Sequence, residues 1–308
     1  MKEIKILELF GGIGACSKAL KNLGIDYKIV DYVEIDKYAV KSFNAIHGTN
    51  FEPQDICKWD KDVEVDLIMH GSPCQDFSLA GKQAGGDKDS GTRSSLMYET
   101  IRIVEKLKPK YVIWENVKNL LSKKHKHNFD TYLQVMESLG YKNHYQVLKA
   151  SDYGVPQERE RVFTISIRND IYSNFEFPNK FELKKNWLEF VGDCSSEYKK
   201  VNKTPSRDKM REKCKNITNE MCCKTITLKQ DRFPNAGIID YDDYYRFLTP
   251  KEQWLLMGFN EDDYNVCYDI HNGKKSILEK QAGNSIVVNV LEAIFNNLLI
   301  DYKQDVKK

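Results

Sequence analysis

The sequence predicts a doubly wound, mostly parallel α/β sheet joined to a second, smaller domain, and three observations carry that prediction. Through the first half of the chain, short apolar runs of strand character alternate with segments of helical period. A glycine cluster, "ELFGGIGA", stands where the first strand turns into the first helix. After about Phe175 the alternation weakens and the chain becomes basic: from Phe175 to Gln230 thirteen Lys or Arg stand against eight Asp or Glu. Composition alone leaves that stretch open between a solvated lysine-rich face and a surface for an anionic polymer.

The elements follow in order. "IKILELF" reads as the first strand, and Ala15, Ala19, Leu20 and Leu23 trace a helix that stops at Gly24. "YKIVDYVEID" is the second strand, and Ala39 to His47 the helix after it, ended by Gly48. "VDLIMH" is a third strand, Leu96 to Leu107 an amphipathic helix, and "KYVIWENV" a fourth strand. Asp130 to Leu139 predicts a helix, followed by strand-like "YQVLKA" and "RVFTISI". Near the end, "TPKEQWLLMGF" predicts a short helix capped by Thr249 with Pro250 in its first position, and Asn289 to Leu299 a closing helix.

The 308 residues suffice for one large domain and a smaller one. A net charge of +2 is too small to announce a nucleic-acid partner by itself, so local charge must decide. The 8 cysteines show no C-x-x-C pairing, which predicts reduced thiols and no metal site. No apolar run approaches the roughly 18 residues of a membrane span, and charge interrupts the start, "MKEIKILELFGG", too often for a secretory signal. The expected location is the cytoplasm, away from membranes.

Glu34 ends the second strand about twenty residues beyond the glycines, where a carboxylate can accept hydrogen bonds from ribose hydroxyls. A nucleoside-containing cofactor follows, either a nicotinamide dinucleotide or S-adenosylmethionine. "GGIGACSKA" lacks the last glycine of G-x-G-x-x-G, which favours S-adenosylmethionine.

Cys74, in "GSPCQDFS", lies just past the third strand, where ligands of open parallel sheets collect. Pro73 fixes its own φ and restricts Ser72 before it. Glu115, in "WENV", holds the matching place after the fourth strand. A thiol and a carboxylic acid so placed suit covalent addition to a ring, the thiolate attacking and the acid stabilising the electron-rich product. In "QERERV", Gln157, Arg159 and Arg161 project from one face of an extended chain, a pattern that can steady a carboxylate, a phosphate or a ring carbonyl.

The segments "LFGGIG", "GSPCQ", "WENV", "QERER" and "QAGNSIVVN", in this order, resemble the cytosine-C5 DNA methyltransferase family over nearly the whole chain, excepting roughly residues 175–223. The resemblance implies that Cys74 adds to C6 of cytosine, that Glu115 holds and protonates N3, and that Arg161 binds O2, with Gln75 and Arg159 completing the catalytic set. It implies S-adenosylmethionine as the cofactor, leaving as S-adenosylhomocysteine. Around it stand Phe10, Gly11, Gly12, Ile13, Gly14, Glu34, Ile35, Asp55, Ile56, Pro73, Leu96, Asn284 and Ser285.

The partner implied is double-stranded DNA, with the target cytosine flipped into the pocket and a loop from Gly81 to Gly91 closing over it. Ser78, Lys82, Arg93, Gln157, Thr227 and Arg232 are the DNA contacts expected. The domains implied are a catalytic unit over 1–174, a target-recognition unit over 175–245, and a segment over 246–308 that returns to the first. A monomer is expected, of bacterial or phage modification type, with a restriction endonuclease as its candidate companion.

Gly11 and Ala15 depart from a more usual Ala and Gly, and Val287 from a common proline. Rival readings stay open at this point: cytosine methylation in transfer RNA, a nicotinamide-dependent oxidoreductase, and a non-catalytic DNA-binding regulator. The Cys-Phe-Thr signature of the transfer-RNA branch is not found where "KTITLKQDRFPN" stands.

Overall fold

The computed structural model describes residues 3–72, 96–192, 198, 200–212, 222–228, 239–240 and 243–302. Six strands form one sheet: β1 (Ile4–Leu9), β2 (Tyr27–Val33), β3 (Leu67–His70), β4 (Tyr111–Val117), β5 (Tyr141–Lys149) and β6 (Glu160–Arg168), in the order β2-β1-β3-β4-β6-β5. The first four pair in parallel, whereas β6 runs antiparallel to both β4 and β5. The mostly parallel α/β sheet expected from the alternating pattern is the sheet observed. Its antiparallel edge has a local cause. β5 and β6 are separated by a short connection with no α-helix, too short to carry the chain back for a parallel pairing.

Alternation along each strand sends side chains to two cores. Ile4, Ile6, Leu67, Met69 and Ile113 join a cluster with helix α1 (Ala15–Asn22) and helix α10 (Val288–Leu298). Leu7, Leu9, Ile68, Val112 and Trp114 join the opposite one, with α3 (Met97–Leu107) and α4 (Lys126–Ser138). Each buried leucine or isoleucine contributes about 1.5–3 kcal/mol relative to exposure, so both faces of the sheet stay covered. Helix α2 (Lys37–His47) begins at Asp36, whose carboxylate accepts from the Tyr38 N–H at 2.9 Å, and ends at Gly48 in the left-handed region.

A second, three-stranded sheet, β7-β9-β8, is formed by Val201–Asn202, Tyr244–Arg246 and Ile239–Asp240. Two short helices accompany it in sequence, α5 (Trp187–Val191) and α6 (Pro205–Arg211). β9 leads into helix α7 (Pro250–Leu255), capped by Thr249 with Pro250 at the first turn as the sequence predicts, and Glu252 completes a reciprocal capping box. The Glu252 carboxylate also takes a bidentate pair of bonds from Arg246, at 2.8 and 3.0 Å, with both side chains buried.

Helices α8 (Glu261–Ile270) and α9 (Lys275–Asn284) had no counterpart in the sequence reading. Their apolar residues are sparse because α8 is held partly by polar contacts. Lys18 of α1 reaches Asp263 at 2.6 Å in a buried ion pair, and the Ser42 hydroxyl meets the His271 ring at 2.8 Å. Among the described residues, no helix is long and apolar enough to cross a membrane.

Candidate active site

The strand order reverses direction at β1, with β2 on one side and β3 on the other, and a crevice opens at the carboxyl ends there. It is narrow and lined by Glu8 to Gly12, Met69, Gly71, Glu115 and Asn284 to Ile286. Three strands and the end of α9 thus deliver the sequence motifs to one place.

The turn after β1 is built by left-handed residues: Phe10 at φ 54°, Gly12 at 56° and Gly14 at 82°. A Cβ on Gly12 would meet nothing within 4 Å, so its backbone faces open space in the crevice. Gly14 is different, since a Cβ there would lie 2.2 Å from the His47 ring. Ile13 is buried in the core. Of the five residues expected to touch a cofactor here, Phe10, Gly11 and Gly12 line the crevice. The Ile13 side chain is instead core packing, and Gly14 lets the turn close onto α2.

Gly11, noted as a departure, has a local reason. A Cβ at this position would sit 2.7 Å from the Tyr32 ring, and the Tyr32 hydroxyl donates to the Gly12 carbonyl.

Glu34 follows β2 and reaches back across the turn. One carboxylate oxygen accepts from the Gly12 N–H at 3.2 Å and the other from the Asp36 N–H at 2.9 Å. Burial raises its pKa above the ordinary carboxylate value, against the lowering effect of those backbone bonds. Beside it Ile35 is 71 % exposed.

The Glu34 carbonyl accepts from the Gln54 N–H at 2.8 Å, which brings Asp55 alongside. Asp55 caps a short turn through the Cys57 N–H at 3.0 Å. The Ile56 side chain packs into the core beside Asp55. Leu96 precedes α3 and packs partly on the same core. Asn284 and Ser285 line the crevice from the end of α9.

Glu115 and Arg161 meet as an ion pair, Nε to Oε1 3.0 Å, with both side chains mostly buried. The antiparallel register explains the meeting. Glu115 lies opposite Phe163, so Arg161 is its diagonal neighbour on the same face. Gly71 lies beside them, since a Cβ there would come within 3.8 Å of Glu115 Oε2. A hydrogen-bond-donating cation, a carboxylate and the approach to Cys74 thus converge at one end of the sheet.

Two motif residues turn inward. Gln157, read as a DNA contact, is fully buried. Its amide donates to the Leu256 carbonyl at 2.8 Å and accepts from the Ile226 N–H at 3.0 Å, leaving nothing to offer DNA in this conformation. Arg159, read as catalytic, is also buried. Its guanidinium donates to the carbonyls of Ile226 at 3.0 Å, Gly283 at 3.3 Å and Ser285 at 2.7 Å. Both are therefore internal struts.

Arg159 ties the crevice-lining segment to residues 226–228, where Thr227 was read as a DNA contact. Thr227 packs so close that a Cβ on Gly283 would lie 2.4 Å from its carbonyl carbon. Pro73, Cys74, Gln75, Ser78, Lys82, Arg93 and Arg232, and the loop from Gly81 to Gly91, lie outside the described residues.

The sequence reading passed over Glu8. This carboxyl is fully buried at the floor of the crevice, where it accepts from the Ser17 N–H at 3.1 Å and from the Ser17 hydroxyl. It thereby caps α1, whose N-cap residue Gly14 has no side chain to do so. Burial pushes its pKa up to about 7. An acidic residue inside the apolar run "IKILELF" was the available signal. Among the described residues, no group of three His, Cys, Asp or Glu could hold a metal ion.

An acid and a cation beside a glycine turn, at the strand ends of a doubly wound sheet, make an enzyme-like site on a Rossmann-like build. The profile of the C-5 cytosine-specific DNA methylase family matches residues 4–232 and 184–299, and the chain belongs to that family. It is 40% identical over 294 residues to the Type II methyltransferase M2.ScrFI of Lactococcus lactis subsp. cremoris, covering 91% of this chain and 81% of the relative. It is 32% identical over 320 residues to the Type II methyltransferase M.HhaI of Haemophilus parahaemolyticus, covering 96% and 94%. Among solved structures, the DNMT2 of Spodoptera frugiperda superposes with a TM-score of 0.76 at 22% identity, covering 96% of this chain and 99% of that one, a likeness of fold.

Proposed function

We propose that this protein transfers a methyl group to C5 of a cytosine flipped out of a specific sequence in duplex DNA, as a modification enzyme of the type its relatives' names describe. One observation carries the reading: the Glu115–Arg161 pair stands at the same crevice as Gly12 and Gly71, joining a base-activating acid to a nucleoside site.

The donor set suits S-adenosylmethionine. The Glu34 carboxylate, bonded to backbone N–H groups, retains acceptor capacity for ribose hydroxyls. Ile35 offers apolar surface, Asp55 a polar edge with the Ile56 backbone, Leu96 an apolar residue at the start of α3, and Asn284 and Ser285 walls of the crevice. When bound, the cofactor supplies an electrophilic methyl group.

The protein's own residues prepare the acceptor. The Cys74 thiolate forms a bond to C6, and the C5–C6 electron pair shifts to make C5 nucleophilic. Glu115 holds N3 and donates a proton to it, and Arg161 donates to O2. After transfer the C5 proton leaves and elimination of Cys74 restores the ring. Arg159 and Gln157 position this chemistry through the backbone of segments 226–228 and 283–285. Residues 175–245 form the target-recognition unit, and residues 246–308 return to complete the cofactor site, with α10 lying along α1.

Incubation with labelled S-adenosylmethionine and mixed-sequence DNA, followed by sequencing with a 5-methylcytosine readout, tests the proposal. Methylation confined to a recurring motif, lost in Cys74→Ser while cofactor affinity is retained, is the expected result. Label appearing in transfer RNA but not in DNA would overturn the substrate, and normal turnover by Cys74→Ser would overturn the covalent route.

A further inference from the structure

We propose that Ser72 and Trp114 form a positioning pair, in which the buried indole N–H holds the serine hydroxyl and so sets where the chain leading to Cys74 leaves the sheet. The inference rests on the methyltransferase reading and adds to it two residues outside the acid, cation and cofactor sets.

The β3–β4 ladder ends at the pair His70 and Trp114. Past it, no further strand pairing constrains Gly71 and Ser72. The next tie is a side-chain bond: Trp114 Nε1–H donates to Ser72 Oγ at 3.0 Å, and Ser72 and Trp114 are 3 % and 1 % exposed. Ser72 precedes Cys74 by only two residues, and Pro73 between them removes one backbone freedom. An anchor at Ser72 therefore limits the directions in which the next residues can depart.

The indole is itself held on several sides. His70 stacks on it with ring centroids 5.6 Å apart and an interplanar angle of 6°, while Tyr132 lies at 4.3 Å and Phe129 at 6.0 Å. The His70 ring approaches the Tyr132 hydroxyl at 3.4 Å. Burial keeps His70 neutral, with its pKa pushed down to about 3, so this packing carries no charge that varies in the working pH range.

Alternation places Trp114 on the face opposite Glu115, its neighbour in sequence. A single strand thus presents the acid to the crevice on one side and grips the nucleophile's approach on the other. The acid and the anchor that precedes Cys74 in sequence are then both held by one β-strand. A displacement of about 1 Å between reacting groups can cost a factor of about a hundred in rate.

The test uses Ser72→Ala and Trp114→Phe, each removing one partner, and Ser72→Thr, which restores the hydroxyl. The readout is the rate of covalent capture on duplex DNA containing 5-fluorocytosine in the presence of S-adenosylmethionine. Fluorine occupies the position of the departing proton, so the Cys74 adduct cannot eliminate. Calorimetry with S-adenosylhomocysteine measures the cofactor site separately.

Ser72→Ala and Trp114→Phe are expected to capture about ten- to a hundredfold more slowly, with cofactor affinity within about twofold of wild type, and Ser72→Thr to recover most of the rate. Capture by Ser72→Ala within twofold of wild type overturns the pair. So does a parallel loss of cofactor affinity and rate, which marks general unfolding. If wild type itself captures no DNA and transfers no methyl group, the methyltransferase reading fails, and the pair fails with it as a catalytic device.

Discussion

Replacing Glu8 by Gln should remove a pH dependence of stability that the wild-type chain carries. The amide keeps an oxygen for the Ser17 N–H and hydroxyl but does not titrate. In the wild type, burial moves the carboxyl from its ordinary 4.5 to about 7. Below pH 4.5 the group is protonated in both folded and unfolded chains, and its full contribution is present. Between 4.5 and about 7 the unfolded chain ionises while the folded one holds its proton, so stability falls as pH rises. The loss is complete above about 7.

The interval from 4.5 to about 7, at about 1.4 kcal/mol per pH unit, makes that loss about 3 kcal/mol. His47 and His70, pushed down by burial to about 4 and about 3, act in the opposite sense, withdrawing stability as pH falls below their ordinary 6.5. Their effect is common to both proteins and cancels in the comparison. Urea unfolding at pH 5 and pH 8 should show the wild type losing about 2–3 kcal/mol more than Glu8→Gln across that interval. Parallel profiles would show that Glu8 does not change its ionisation on folding, and the buried-carboxyl argument would fail.

Other outcomes follow from the same geometry. Glu34→Ala should weaken S-adenosylhomocysteine binding by about 1.5–3 kcal/mol, the worth of hydrogen bonds to a charged group, and unchanged affinity by calorimetry would remove Glu34 from the site. Gly283→Ala forces a methyl group to within 2.4 Å of the Thr227 backbone, which no side-chain rotation relieves. It should cost about 1–3 kcal/mol in urea unfolding, and an unaltered midpoint would contradict that contact.

Much of the framework was legible locally. Strand and helix periods located β1 to β4 and their helices, because each element covers a core face through its own spacing of apolar residues. The Thr249 cap with Pro250 behind it was equally local. Helices α8 and α9 escaped because buried polar contacts, such as Lys18 with Asp263, hold what apolar periodicity usually holds. Glu8 escaped because a single acid in an apolar strand carries no period.

The sequence by itself set out the candidates for the site, glycine turn, Pro-Cys, Glu-Asn and Arg-x-Arg in one order, and the parallel sheet that gathers strand ends at one edge. Tertiary structure alone decided what each of those side chains faces. Arg159 and Arg161 stand two residues apart with the same planar donor fork, which suits a carboxylate as well as a carbonyl. Arg161 meets Glu115 because the β4–β6 register puts them on a diagonal, while Arg159 is buried among the carbonyls of Ile226, Gly283 and Ser285. Those partners lie more than forty residues away in sequence, and only the packing of distant segments decides whether a given arginine supports the fold or faces the crevice.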